Sequence, residues 1–247
     1  MLYFASDFHL GLHNQDVKVQ EQKLLDFLNY AENNNAEQLF LVGDVFDFWF
    51  EYKRVVPKGY FRFFTKLYEL NEKGIQVFMF KGNHDMWMLD YFEKECGVKI
   101  ISNELVINYK GKKIFIHHGD GLGPGDRSYK FLKKIFKSKL NHWLYSRIHP
   151  NFGLWFGALS SKRSRLAKKD FEKNNFYLGD EKEFLTQFCI SDLKKGSDID
   201  YYVFGHRHLP IDKDLGKARY INLGEWIHYN SYATFDGEDF KLLYWND

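Results

Sequence analysis

Five short apolar runs in this chain each break off into a cluster of Asp, Asn, His and Gly, and no other feature limits its fold as much. The clusters are Asp7-Phe8-His9, Gly43-Asp44-Val45-Phe46-Asp47, Gly82-Asn83-His84-Asp85, His117-His118-Gly119-Asp120 and Gly205-His206-Arg207-His208. In an open α/β sheet the loops at the carboxyl ends of the strands converge on one crevice, so the clusters are expected to be neighbours in space. The pattern between them agrees. Leu2–Ala5, Leu39–Val42 and Ile75–Phe80 read as buried strands. Apolar spacing predicts helices over 17–33 and 58–73, the second ending at Lys73-Gly74, and a short helix near 86–95 that stops at Gly97. That β-α-β-α-β order implies parallel strands with helices on the faces.

The second half reads differently. Leu105–Tyr109 and Lys112–His117 flank Lys110-Gly111 as a β-hairpin. A helix near 180–195 and a strand at Tyr201–Phe204 precede strands at Tyr220–Leu223, Trp226–Thr234 and Phe240–Trp245, with Asp236-Gly237 as a tight turn. The expected architecture is an α/β sandwich of two partly parallel sheets with helices outside.

Size and composition close off other classes. A chain of 247 residues is expected to form one domain, 1–247. No apolar run approaches the roughly 18–20 residues of a membrane-spanning helix, and the first residues lack a secretory signal. Cys96 and Cys189 match no metal or redox spacing. A cytoplasmic protein is expected.

Each cluster alone has an ordinary explanation, as a helix cap, a turn or a solvated histidine. Their joint occurrence, each directly after an apolar strand, points instead to a metal centre. Asp, Asn and His together suit Mn, Fe or Zn, whereas magnesium favours an all-oxygen shell and structural zinc favours thiolates.

This set resembles the calcineurin-like metallophosphoesterase superfamily. The resemblance implies a four-layer αββα sandwich and two divalent ions. Asp7, His9 and His208 would hold the first, Asn83, His118 and His206 the second, and Asp44 would bridge them. Two such ions clamp a phosphate and acidify the water that attacks it. The resemblance further implies that His84 meets the substrate as a catalytic group, stabilising the transition state or protonating the leaving oxygen, and that Asp85 orients its ring. Asp47 would support a metal-bound histidine. His117, alternating with His118 along a strand, is expected to face the other side of the sheet in a structural role.

One segment stands apart. Residues 127–169 carry twelve Lys or Arg, no acid and eight aromatics, while the remainder has a net charge of −10. The overall charge of +2 therefore hides a split. Basic residues interleaved with aromatics suit a solvated helical excursion, nucleic acid, or an anionic membrane with an acylated substrate. The apolar stretch 151–159 favours lipid. A basic-aromatic insert between His118-Gly119-Asp120 and Gly205-His206-Arg207-His208 is similar to that of the UDP-2,3-diacylglucosamine hydrolases of lipid A synthesis. Asp7-Phe8-His9-Leu10, the Gly43–Trp49 run and Leu223-Gly224-Glu225-Trp226 add to the likeness.

That resemblance implies a manganese-dependent, peripheral inner-membrane enzyme. It would cleave the diphosphate of UDP-2,3-diacylglucosamine to UMP and 2,3-diacylglucosamine 1-phosphate, with 127–169 as a helical lid. Lys162, Arg163, Arg165, Trp155 and Phe156 are the candidate substrate contacts, and no nucleic-acid partner is expected. The chain departs at His84, where characterised members carry Arg; Gly-Asn-His-Asp is the general superfamily form. A general metallophosphodiesterase and a non-catalytic scaffold are the competing readings.

Overall fold

Strict alternation along the first three strands sorts their side chains between two layers. In the computed structural model, β1 (Leu2–Ala5), β2 (Gln38–Leu41) and β3 (Gln76–Phe80) are parallel neighbours. Leu2, Phe4, Phe40, Phe78 and Phe80 point to one face and Tyr3, Ala5, Leu39, Leu41, Val77 and Met79 to the other, as a period of two requires. The structure describes residues 1–13, 15–125, 127–172 and 176–245, with the side chains of 127, 128 and 164–172 outside that description.

The second group of side chains packs under helices α1 (Val17–Asn33), α2 (Phe61–Glu72) and α3 (Tyr91–Cys96). The first group packs against a second sheet. There β5 (Leu105–Tyr109), β6 (Lys112–His117), β7 (Tyr201–Phe204), β8 (Pro210–Asp214) and β9 (Arg219–Leu223) run in the order β5-β6-β7-β9-β8. Ile114, Ile116, Val203, Ile221 and Leu223 close this inter-sheet core. The first sheet is completed by β4 (Lys99–Ile101) at one edge and by β10 (Ser231–Phe235) and β11 (Phe240–Tyr244) at the other. A helix of residues Phe184–Lys194 covers the outer face of the second sheet through Leu185 and Cys189. The result is helix, sheet, sheet, helix, the expected αββα order.

Between β6 and that helix the chain forms α4 (Arg127–Phe136), α5 (Lys139–Tyr145) and α6 (Pro150–Glu172), so Phe184–Lys194 is α7. Half of the large exposed apolar side chains of the described residues belong to α4–α6, among them Phe131, Leu140, Trp143, Phe152 and Trp155. No helix among the described residues is long and apolar enough to cross a membrane.

Two expected elements begin about five residues after their patterns do. The helix near 86–95 begins only at Tyr91, because the Glu51 carboxylate accepts the N–H groups of Asp90 and Tyr91 and sets its start there. The strand expected from Trp226 begins at Ser231. Before it, Glu225 accepts the N–H groups of Ile227, His228 and Tyr229 and curls the chain into a turn. Strands β4 and β8 had no alternation strong enough to announce them.

Phe40 lies between Phe4 and Phe78 in the inter-sheet core, with ring centroids 4.8 Å from each and planes nearly parallel. Phe40→Ala is expected to cost roughly 3–5 kcal/mol. Trp155→Ser, on an exposed face, should stay within about 0.5 kcal/mol. Urea unfolding of the two variants measures both.

Candidate metal centre

The loops after β1 and β2 zip together first. Asp7 and His9 donate backbone N–H groups to the carbonyls of Gly43 and Asp44, at 3.1 and 3.0 Å. The loop after β3 joins them, because the His84 N–H donates to Asp44 Oδ1 at 2.8 Å. From the second sheet, the His206 N–H donates to Asp7 Oδ2 at 3.0 Å and Gly205 N–H to the His118 carbonyl at 3.0 Å. All five sequence clusters therefore meet at the carboxyl ends of parallel strands.

Their backbone is strained to do so. Asp7, His9, Asp44, His206 and His208 all have φ between 50° and 65°, the left-handed region that costs a residue with a side chain on the order of 1–3 kcal/mol. Three glycines supply the remaining room, Gly43 leaving space for the His118 ring. A Cβ on Gly82 would strike Asp44, and one on Gly205 would strike Asp7 and Ser6.

The functional atoms fall into two groups that share Asp44. Asp7, His9, Asp44 and His208 form one, and Asp44, His118 and His206 form the other, each with ligand atoms within 4.8 Å of one another. Asn83 Oδ1 lies 3.3 Å from His118 Nε2, which places it beside the second group. His118 Nδ1 is 2.9 Å from the Val42 carbonyl, an oxygen that only accepts, so Nδ1 carries the hydrogen and Nε2 faces Asp44 and Asn83.

Asp7 Oδ1 and Asp44 Oδ2 are buried without a hydrogen-bond donor. Their nearest cationic neighbours are His208 Nε2 at 3.1 Å and His118 Nε2 at 3.3 Å, while His9 Nε2 and His208 Nε2 face each other at 3.3 Å. Separations near 3 Å are the edges of a coordination polyhedron with bonds of about 2.1 Å. The residues present fit a pair of divalent cations.

The local field says the same. Burial would raise the carboxyl pKa of both Asp7 and Asp44, but the histidines beside them hold both below the usual range. Burial alone would lower His118; Asp44 and Asp7 overcome it and lift the imidazole to about 10. The carboxylates make this pocket one that favours positive charge.

Around this centre the other expected residues take definite places. Asp47 Oδ1 is 3.6 Å from His9 Nδ1, behind the ring edge that faces the cluster. His117 accepts the Gly119 N–H at 2.7 Å, and burial pulls its pKa down to about 4, so it is a neutral structural group. Asp85 differs from expectation. Its carboxylate accepts the N–H groups of Gly82, Val45 and Phe46, so it ties the loops after β2 and β3 together rather than orienting His84. Three backbone donors surround it, and an adjacent imidazole has no such claim. The His84 ring instead approaches the Asp47 carbonyl and Ser161.

A cavity of about 430 Å³ opens beside His84 and Asn83. Phe48 and Trp87 of the body and Leu132, Ile135, Phe136 and Phe156 of the insert make its walls apolar. Trp155 is not in that lining and lies exposed, because neighbouring helix residues point about 100° apart. Lys162 is half-buried and Arg163 exposed, and neither lines the cavity; the Arg165 side chain lies outside the described residues.

Sequence reading assigned no role to Asp120, Glu183 or Ser161. Asp120 is buried and accepts from Tyr129 at 2.5 Å and pairs with Lys133 at 2.6 Å, fastening α4 to the loop that carries His118. Glu183 forms a bidentate buried pair with Arg207, between His206 and His208. Asp120 stood in a motif already singled out, but Glu183 and Ser161 had no local signal.

A family model described as calcineurin-like phosphoesterase matches residues 2–210. The chain belongs to the calcineurin-like phosphoesterase family. This phosphoesterase is 37% identical over 252 residues to the UDP-2,3-diacylglucosamine hydrolase of Porphyromonas gingivalis, covering 98% of this chain and 96% of the relative. It is 28% identical to the protein of the same name from Aliivibrio fischeri, covering 98% and 97%. A solved archaeal phosphodiesterase shares its fold, with a TM-score of 0.50 at 11% identity over 99% of each chain. As a member of this family the protein is a metal-dependent hydrolase.

Gly82→Ala should push Asp44 aside and weaken divalent-cation binding by roughly 10–100-fold, measured by titration calorimetry. Glu183→Ala removes the buried carboxylate that faces the Arg207 guanidinium and should cost about 3–5 kcal/mol in urea unfolding.

Proposed function

We propose that this chain hydrolyses the diphosphate of UDP-2,3-diacylglucosamine, giving UMP and 2,3-diacylglucosamine 1-phosphate, at the cytoplasmic surface of the inner membrane. The observation that carries the reading is the apolar cavity whose lining reaches His84 and Asn83, next to the two-group cluster. A phosphate at the cluster would set an attached acylated sugar against that cavity. The full-length likeness to proteins named for this substrate supports it.

In this reading Asp7, His9 and His208 hold one ion, Asn83, His118 and His206 the other, and Asp44 both; manganese suits the mixed oxygen and nitrogen set. When bound, the ions supply Lewis-acid polarisation of the phosphate and an acidified water. Asp44 spans both groups through Oδ2, 3.3 Å from His118 Nε2 and 4.0 Å from His9 Nε2, because a carboxylate oxygen has more than one lone pair to share while an imidazole nitrogen has one. With Nδ1 engaged by the Asp47 carbonyl, His84 in its protonated form adds Nε2–H as a hydrogen-bond donor where charge develops on the phosphate. Residues 127–169 form the lid of one domain, 1–247. Trp143 and Trp155, exposed on it among twelve basic residues, meet the acyl layer and anionic headgroups.

His84, in place of the Arg typical of these hydrolases, favours a second reading, a general phosphodiesterase. Product analysis by mass spectrometry separates the two. With Mn²⁺ the protein should release UMP from UDP-2,3-diacylglucosamine and leave non-acylated UDP sugars nearly untouched. Efficient cleavage of generic diesters without that release would favour the second.

Asp44→Ala is expected to abolish metal occupancy and turnover together. His84→Ala should keep its metal content, read by elemental analysis, while losing on the order of 10²–10⁴-fold in rate.

A further inference from the structure

The His84 ring is held from two sides. Its Nδ1 is 2.9 Å from the Asp47 carbonyl oxygen and 2.8 Å from Ser161 Oγ. A carbonyl only accepts, so Nδ1 carries the hydrogen, and the hydroxyl oxygen shares it as a second acceptor. Both contacts turn Nε2 away from these oxygens. Asp47 follows β2 in the body, whereas Ser161 is a buried residue of α6 in the insert. One contact is thus local to the metal centre, and the other comes from the segment over the cavity.

A second observation explains how α6 gets so close. Gly153, Gly157 and Ser161 follow one another at four-residue spacing, so they lie along one face of the helix. A Cβ on Gly153 would strike the Tyr52 hydroxyl, and one on Gly157 would strike the Phe48 ring. The small residues seat the helix directly on the segment that runs on from Asp47. Ser161 is the next position along that face, and it arrives at His84.

We propose that Ser161 is a positioning residue for His84, so that the seated insert completes the catalytic imidazole's orientation. A single carbonyl acceptor fixes one nitrogen but leaves the ring free to swing about it. A second acceptor from an independent element removes that freedom, and misorientation of a catalytic group lowers turnover more than binding. The proposal rests on the catalytic role of His84 but not on the acylated substrate.

The test is a double-mutant cycle on a small soluble phosphodiester with Mn²⁺. Ser161→Ala should lower kcat roughly tenfold, about the worth of one charge-assisted hydrogen bond, with KM nearly unchanged. Ser161→Thr, which keeps the hydroxyl, should recover most of the loss. In a His84→Ala background, Ser161→Ala should add nothing, because its effect acts through the ring. Gly157→Leu, which lifts α6 from Phe48, should reproduce the Ser161→Ala phenotype. In protein labelled with ¹⁵N-histidine and loaded with diamagnetic Zn²⁺, the His84 Nδ1–H resonance should shift in Ser161→Ala.

Wild-type kcat in Ser161→Ala, full additivity with His84→Ala, or an unmoved Nδ1–H resonance would each overturn the proposal. Because the cycle uses a soluble diester, a failure to cleave the acylated UDP sugar would sink the substrate reading alone. If His84→Ala itself turned over normally, the catalytic role of His84 would fall, and this proposal with it.

Discussion

Two buried carboxylates, Asp7 and Asp44, set the terms for everything around them. Each gives one oxygen to a backbone N–H from another strand's loop, His206 for Asp7 and His84 for Asp44, and turns the other inward without a donor. An inward negative charge in a buried place must be met by positive charge. The histidines arranged about the two oxygens, and the lift of His118 to about 10, are the protein's side of that requirement. A divalent pair meets it more completely. The two sheets are thereby joined at their carboxyl ends, since Asp7 of the first is bonded to the loop of the second.

The strain at this junction has the same origin. Five residues with side chains occupy the left-handed region because the carboxylate and imidazole atoms must converge within a few ångströms from separate strands. Gly82 and Gly205 then serve as space for the carboxylates rather than as turn-formers alone. Asp85 has a matching duty: three backbone donors converge on it, and it fastens the loops on which Asp44 and Asn83 ride. The inter-sheet core of stacked Phe4, Phe40 and Phe78 gives these loops a stiff base.

The insert is tied to this centre by contacts of different chemistry, Ser161 meeting His84 among them. Asp120 holds Tyr129 and Lys133 of α4, and the small face of α6 lies against Phe48 and Tyr52. Between the two the apolar cavity remains open. The charge split seen in the composition thus has a spatial counterpart. The acidic body carries the cluster, and the basic aromatic segment covers the cavity beside it.

By itself the sequence determined the alternation that makes β1, β2 and β3, the helix periods of α1 and α2, and the grouping of seven Asp, Asn and His residues at strand ends. Those are local properties, written in consecutive residues, and the rule that strand-end loops converge does the rest. The lengths of α3 and β10 were decided by Glu51 and Glu225, side chains that cap backbone groups outside their own element. Only the tertiary structure decided what Asp85 does, that Trp155 faces outward while Phe156 lines the cavity, and that Ser161 meets His84. Each of those depends on which of several possible acceptors or surfaces comes within about 3 Å of a given atom. That is a matter of chain segments far apart in sequence, 40 residues for Val45 and Asp85 and 77 for His84 and Ser161, and no local pattern carries it.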